Sequence, residues 1–475
     1  MIVIICDATK DIGYGHLKRC LVLASFYRKL GLRVIFLMRD RSAVVENLIG
    51  PHGIGLVVRS DHGKCLSYLF EKKDQIKLVI IDHYEIGADF EKNIFNLFSV
   101  LVIDDLCRSH WCDLLVDQTI NRTVRQYDKK LKNASTKVLL GIGYTLIDPV
   151  YRAIKTNQDK HNILITFGAT DSEGAVLKVL EILENTMGDA GLIFHLPLSS
   201  MSFCLEPLIK WINKSNLDIR LYQDLPDLCP LYEQCGIAIG APGTSLLERI
   251  FCGLMNLTVV VAENQKEVGK NLADQGLTIC LGNIQTLDAK KLTRELKQMI
   301  EIQTYGAVLQ ERARGLIDGK GPDRVIKQTI PLISAVKLRS VQEKDGNILY
   351  NWQHQQGARQ YFRKPAPPTK KEHHIWFDRM LSNDDIVMNI IEWCDMEIGY
   401  IRMDSKGNKK EVSILIAQNF QGWGFGKAAL LKTIKTKQHI FTAFIYPENE
   451  ASIGLFTSVG FQSAGKGEYL YGDRS

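Results

Sequence analysis

The chain has 475 residues, a formal net charge of +6, 45% hydrophobic residues and 24% charged ones. That length implies two or three packed units, and so mild a charge argues against a nucleic-acid partner. No run is apolar enough to span a bilayer, and the eleven cysteines contain no CxxC pair, so neither a membrane partner, a disulfide framework nor a metal site is expected. Reduced thiols fit a cytoplasmic protein.

The N-terminus, Met1 to Asp7, lacks a basic leader and a small-residue cleavage site, and it reads as a first strand over Ile2–Cys6. Arg33–Leu37, Leu78–Ile81 and Val100–Ile103 are further strands, with helices at His16–Leu30 and Ser42–Ile49. This alternation predicts parallel βαβ construction. The pattern restarts after Pro149, with strands at Asn162–Phe167, Leu192–His195, Ile219–Tyr222, Ile237–Ile239 and Thr258–Ala262. Helices are expected at Ser172–Leu183 and Ser245–Cys252. Two successive α/β halves predict two lobes facing a cleft, with ligands bound beyond the carboxyl edges of the strands. Asp318–Arg324 is rich in turn residues and leads into a last helix. The character of the chain changes near Ala335–Leu338, and a different pattern starts at about Val336.

The first strand ends in Asp7-Ala8-Thr9, followed by Ile12-Gly13-Tyr14-Gly15-His16 and a helix carrying Arg19. The glycines permit a tight turn and deliver His16 at a helix start. Further on come Asp82-His83-Tyr84, Asp104-Asp105, Asp113 to Gln118, Gly141-Ile142-Gly143-Tyr144, Ile165 to Gly168, Gly240-Ala241-Pro242-Gly243-Thr244-Ser245 with Glu248-Arg249, and Asn264-Gln265. In this order the motifs resemble the UDP-sugar hydrolases of pseudaminic acid biosynthesis, and they cover most of residues 1–330.

The resemblance implies a two-lobed GT-B-like fold, with two Rossmann-like lobes at 1–150 and 151–334. It also implies hydrolysis of UDP-2,4-diacetamido-2,4,6-trideoxy-β-L-altropyranose, water displacing UDP with inversion at the anomeric carbon. His16, of a type that titrates at about pH 6.5, is suited to accept the proton from water. Tyr84 is assigned to positioning the water or sugar. Asp7, Gly13, Gly15, Arg19 and Gly168 belong to the expected substrate site. The Gly240, Gly243, Thr244 and Ser245 turn offers amides to a pyrophosphate. Glu248 matches the GT-B position that accepts from ribose hydroxyls, and Asn264 and Gln265 are suited to the sugar's hydroxyl and acetamido groups. Ile5, Ala169 and Pro242 depart from the family pattern, and proline removes one amide from the turn. Plain alternatives exist for each residue type: a cap for His16, a strand-end turn for Asp104-Asp105, a solvated helix position for Glu248. His83 is read as shaping the pocket.

The last third carries Gln421-Gly422-Trp423-Gly424-Phe425-Gly426-Lys427 between an apolar run and a helix-forming run, then Pro447 to Phe456 and Gly460-Phe461. Glycines at a helix start let amides approach a pyrophosphate. Together these motifs resemble the GNAT acetyltransferases, which implies a mixed α/β domain over 336–475 with acetyl-CoA as co-substrate. The resemblance places the cofactor on Gln421, Gly422, Gly424, Gly426 and Lys427, on the preceding strand with Ile414 and Ile416, and on Asn449 and Ser452. Glu411 is the expected general base, with a surface carboxylate as its alternative, and Phe456 stands where many members carry a tyrosine acid. His373-His374 are neighbours on a helix and do not face one metal site.

The combined expectation is a bifunctional enzyme that N-acetylates the C4 amine of a UDP-4-amino-sugar and then hydrolyses the UDP-sugar. A GT-B glycosyltransferase, a sugar-nucleotide binding platform for the acetyltransferase, and the same steps on a legionaminic-type sugar are the alternatives.

Overall fold

A computed structural model describes the chain except for residues 10–12, 40, 155–158, 172, 189, 201, 203, 303–304, 436–438 and 473–475, and the side chains of 305–307, 309 and 310. Ile12 and Ser172 thus lie outside the described residues. The chain divides into two compact units, Met1–Thr329 and Ile330–Ser475.

The first unit holds two parallel sheets. Strands β1 (Ile2–Cys6), β2 (Val34–Met38), β3 (Gly55–Val58), β4 (Leu78–Asp82), β5 (Val100–Ile103), β6 (Leu114–Asp117) and β7 (Lys137–Leu140) form the first, in the order β3-β2-β1-β4-β5-β6-β7. Every residue of β1, β2, β4, β5 and β6 is buried, because a strand covered on both faces has no solvent side to give to polar residues. The winding direction reverses between β1 and β4.

Strands β8 (Asn162–Thr166), β9 (Ile193–Leu198), β10 (Asp218–Gln223), β11 (Ile237–Gly240), β12 (Met255–Val260) and β13 (Ile279–Asn283) form the second sheet, in the order β10-β9-β8-β11-β12-β13. Here the reversal falls between β8 and β11. The helix Ala175–Met187 lays Val176, Val179, Leu180 and Leu183 on this core at helical spacing. The two Rossmann-like lobes make a GT-B-like unit.

Strand β12 starts three residues before the expected Thr258 and ends at Val260, so Val261 and Ala262 leave the ladder. Buried Asn256, whose Nδ2 donates to Leu254 O at 2.7 Å, interrupts the apolar run that marks a strand in sequence. Strands β3 and β13 are edge strands with half-exposed residues, which blurs their pattern in the same way.

The second unit is a mixed α/β domain. Strands β14 (Lys337–Ser340), β15 (Ile386–Trp393), β16 (Met396–Lys406), β17 (Lys409–Ile416), β18 (Ile440–Phe444), β19 (Gln462–Gly465) and β20 (Glu468–Tyr471) run in the order β14-β15-β16-β17-β18-β20-β19. Neighbours are antiparallel except β17 and β18. Helices Gly346–Gln353 and Lys370–Leu381 pack Leu349, Trp352 and Phe377 against Ile390, Tyr400 and Leu415 of the sheet.

Gly240, at the end of β11, marks a very tight backbone approach in the second lobe. A Cβ there would stand 2.1 Å from Thr166 O and 2.6 Å from Nη1 of Arg249. Gly240→Ala is therefore expected to destabilise the first unit by about 1–3 kcal/mol, read as a lower urea midpoint; an unchanged midpoint would contradict the packing.

Candidate active sites

In the first lobe the loops after β1 and β4 meet at the switch point of the sheet, where ligands bind in open α/β folds. Cys6 of β1 lies opposite Asp82 at the end of β4. The helix Gly15–Lys29 starts just beyond β1, and its residues His16 and Arg19, three apart, share the face above Asp82. Asp82 is fully buried. Its Oδ1 lies 2.6 Å from His16 Nδ1, and its Oδ2 accepts from Arg19 Nε at 2.6 Å and from Cys20 Sγ at 3.4 Å. Burial alone would raise this carboxyl, but the Arg19 guanidinium and the His16 ring hold it well below the usual carboxylate range. Asp82 Oδ1 and Arg19 Nη2, the latter at 3.0 Å, both approach Nδ1, and Nε2 lies on the opposite edge of the ring.

Tyr84 stands edge-on to His16 with ring centroids 4.5 Å apart. Its hydroxyl donates to Asp105 Oδ2 at 3.3 Å, and Arg19 Nη1 donates to the same oxygen at 3.1 Å. Burial and the Asp105 charge push the Tyr84 phenol far up, so it stays protonated. The adjacent aspartates divide: Asp105 lines the cleft, whereas Asp104 turns inward to Arg108 Nε (3.1 Å), His110 Nε2 (3.2 Å) and Tyr127 Oη (3.0 Å). Burial opposes charging of His110, yet Asp104 and Glu91 raise it to about 9.

A cleft of about 730 Å³ separates the two lobes of the first unit. Gly13, Gly15, His16, Arg19, Tyr84 and Asp105 line one wall; Gly168, Gly243, Thr244, Ser245, Glu248, Asn264 and Gln265 line the other. The lobes come close at the two helix starts, for a Cβ on Gly15 would lie 3.3 Å from Thr244 Oγ1. Glu248 is buried rather than solvated, and its Oε2 accepts from Tyr232 Oη at 3.0 Å. Burial raises its carboxyl above the ordinary range, with Lys18 of the first lobe opposing. Gln265 Oε1 accepts from Val261 N at 3.1 Å, and Asn264 is exposed.

Two expected site residues stand behind the walls. Gly240 lies beneath the turn. Asp7 lies outside the cleft lining and binds Arg39 Nε at 2.7 Å and His83 Nε2 at 2.9 Å. Burial opposes ionisation of Asp7, but His83 and Arg39 lower its carboxyl to about 2. Ile5 packs in the core with Val3, Leu37 and Ile81, so a side chain at this position faces away from the cleft. Lys18, Gln118 and Thr119 also line the cleft, and Asp82 stands behind His16, although the sequence reading gives these four no site role. For Asp82 the signal was present: one acidic residue closes the otherwise apolar strand Leu78–Asp82.

In the second unit the sheet splits. Strands β17 and β18 pair only from Lys409 opposite Ile440 to Glu411 opposite Thr442, after which β18 stays with β20. Ala417 N donates to Ile398 O of β16 at 2.9 Å. By strand alternation the N–H groups of Ile414 and Ile416 face the other edge, where β18 has departed. Ile416 O is met by Gln421 Nε2 at 2.9 Å. Gly422 (φ 79°) and Gly424 (φ 93°) adopt left-handed backbone, which only glycine enters without strain, and the helix Phe425–Ile434 follows. Its first bond runs from Ala428 N to Gly424 O, so the N–H groups of Gly426 and Lys427 precede the ladder. Gly426 packs against Leu455 and Ile416. Asn449 Oδ1 caps the helix Glu450–Thr457 through Ser452 N at 3.1 Å. Glu411 has both oxygens in ion pairs, with Arg363 Nη2 at 2.6 Å and with Lys406. Phe456 is buried edge-on to Phe461.

Residues 336–462 match the Acetyltransferase (GNAT) domain family. An uncharacterised protein of Methanocaldococcus jannaschii is 24% identical, covering 99% of this chain and 99% of its own. The UDP-2,4-diacetamido-2,4,6-trideoxy-beta-L-altropyranose hydrolase of Campylobacter jejuni is 25% identical, covering 58% of this chain and 96% of its own. A Helicobacter pylori protein named as pseudaminic acid cytidylyltransferase and the same hydrolase is 22% identical over 58% of this chain and 47% of its own. The N-terminal part is thus similar to hydrolases of the pseudaminic acid pathway. The C-terminal part carries a GNAT acetyltransferase domain, whose co-substrate is acetyl-CoA. Among the described residues no helix is long and apolar enough to cross a membrane.

Two outcomes follow from this geometry. The depressed Asp7 carboxyl contributes stability that is present above its ordinary value of 3.8 and is lost as pH falls through about 2. The unfolding free energy of the wild type, from urea titrations, is expected to fall over that window by about 2 kcal/mol more than that of Asp7→Asn; parallel curves would contradict the assignment. Gly424→Ala, forced into left-handed backbone, is expected to weaken acetyl-CoA binding about tenfold, measured by titration calorimetry.

Proposed function

We propose that the chain catalyses two consecutive steps on one UDP-sugar: acetyl-CoA-dependent N-acetylation of a C4 amine, then hydrolysis of the acetylated UDP-sugar to UDP and free sugar. The lobes at 1–150 and 151–334 carry the hydrolysis and residues 336–475 the acetylation. The observation that most supports the hydrolytic step is the His16–Asp82 pair at one wall of the cleft, across from the glycine turn at the start of the helix Thr244–Phe251. Two relatives over this part carry the hydrolase name.

In the proposed hydrolysis, Nε2 of His16 accepts a proton as the water oxygen bonds to the anomeric carbon. The bond from that carbon to the β-phosphate oxygen breaks on the opposite side, and UDP leaves with the electron pair. Asp82 holds the imidazole in the required tautomer and stabilises its charged form. Tyr84 positions the water or the sugar. Amides of Gly243, Thr244 and Ser245 meet the diphosphate, and Glu248 accepts from the ribose. Asn264 and Gln265 hold the sugar's hydroxyl and acetamido groups. Asp7, Gly13, Gly15, Arg19, Gly168 and Gly240 shape and support these walls.

In the proposed acetylation, the pyrophosphate of acetyl-CoA rests on Gln421, Gly422, Gly424, Gly426 and Lys427. Its pantetheine arm runs along Ile414 and Ile416 towards Asn449 and Ser452. An amide of the split strand donates to the thioester oxygen while the amine nitrogen bonds to the carbonyl carbon and CoA thiolate departs. Glu411 takes the amine proton through water, once substrate has displaced one of its two cations. With Phe456 offering no acid, the thiolate takes its proton from solvent. Both activities on one chain raise the local concentration of the shared intermediate. Eleven free thiols favour a cytoplasmic setting.

The test supplies the 4-amino UDP-sugar with acetyl-CoA and follows products by NMR. Acetylated free sugar and UDP are expected, and His16→Ala is expected to slow UDP release by about 10²–10⁴-fold while acetylated UDP-sugar accumulates at the normal rate. Acetylated UDP-sugar left intact by the wild type would overturn the hydrolytic assignment, and an untouched amine the acetyl acceptor.

A further inference from the structure

The guanidinium of Arg249 is fully buried in the second lobe, on the helix Thr244–Phe251, directly behind the turn that lines the cleft. Its Nη2 donates to Ala241 O at 2.8 Å and its Nε to Ser245 O at 3.3 Å. Among the described residues its Nη1 has no hydrogen-bond partner. Among the described residues no carboxylate forms an ion pair with it; neighbouring Glu248 gives its Oε2 to Tyr232 instead. A buried cation without a counterion is costly to a fold unless something offsets it. Burial accordingly depresses it to about 10, an unusual value for arginine.

Its position connects it with the cleft. Ala241, Pro242, Gly243, Thr244 and Ser245 all face the cavity. Pro242 has no N–H, so the Ala241–Pro242 peptide brings an acceptor oxygen and no donor to a turn that should receive an anion. Arg249 draws that oxygen away from the cavity and places a positive charge behind the same peptide. Gly240 has no side chain to separate the guanidinium from the turn, as a Cβ there would collide with Nη1.

We propose that Arg249 is a positioning residue for the nucleotide diphosphate and the resident countercharge behind the Gly240–Ser245 turn. The inference rests on the reading of this cleft as a UDP site, and it adds that recognition of the diphosphate depends on a cation that never touches solvent. Glu248 acts on this cation without forming an ion pair, and a bound diphosphate adds negative charge in front of it, so the diphosphate is favoured over an uncharged nucleoside at this wall.

Titration calorimetry on the full chain with UDP and with uridine tests this, using Arg249→Gln, which keeps a donor but no charge, and Arg249→Lys, which keeps the charge. Arg249→Gln is expected to weaken UDP binding about 10- to 100-fold and to leave uridine within about twofold, while Arg249→Lys retains UDP within about fivefold. A purely structural role would weaken UDP and uridine alike in both variants, and that result, or no loss in Arg249→Gln, would overturn the proposal. Should Arg249→Gln not fold, Arg249→Lys decides: a loss of about tenfold or more in UDP binding would overturn the countercharge role, and retention would support it. A wild type that binds uridine and UDP equally removes the countercharge alone, whereas one that binds neither removes the UDP site and this inference with it.

Discussion

The first unit depends on one buried carboxylate. Asp82 closes β4 with no access to solvent, where an unpaired negative charge is far less stable than in water. It persists as a charge because Arg19 and His16, one helical turn apart, both reach it, and Cys20 Sγ contributes a weaker contact. That requirement ties the start of the helix Gly15–Lys29 to the end of a strand and fixes the orientation of the imidazole. It also accounts for Arg19 being buried on a helix face, since Asp82 and Asp105 both compensate its charge. Stability and site geometry are thus one interaction here.

The two walls of the cleft are built differently. The first lobe presents side chains held by ionic contacts: Asp105 binds Arg19 and Tyr84, and a second layer containing Asp104, His110, Glu91 and Tyr127 supports the same loop. The second lobe presents backbone, a turn whose amides precede a helix, with charge held behind it by Arg249. In the proposed hydrolysis, water activation needs a directed lone pair, which a side chain supplies. Binding a diphosphate needs several donors and diffuse positive potential, which a turn at a helix start supplies. The second unit follows a related logic with a sheet: β18 leaves β17 after Glu411, and strand edges that would otherwise pair with each other become available to a cofactor.

Much of the architecture was legible because burial restricts composition. Val100–Ile103 and Ile2–Cys6 are central strands covered on both faces, so uninterrupted apolar runs mark them. Gly422 and Gly424 were legible as a tight turn because left-handed backbone before a helix demands residues without a Cβ. Edge strands such as Gly55–Val58 were not, since one side of them meets solvent and the pattern weakens. The early end of β12 was hidden by Asn256, a polar residue satisfied inside the core by a backbone carbonyl.

Order along the chain and residue type thus sufficed to place His16, Tyr84, the Gly240–Ser245 turn and Glu248 around a common crevice between two α/β halves. Tertiary structure alone decided their electrical state. His16 meets Asp82 across 66 positions of sequence, Asp7 is turned to Arg39 and His83 rather than the cavity, Glu411 lies between two cations, and Arg249 stands behind its turn with no ion pair among the described residues. Periodicity reports which side of an element is buried. The charge a group carries depends on distances to groups that folding brings near, and no local pattern records those.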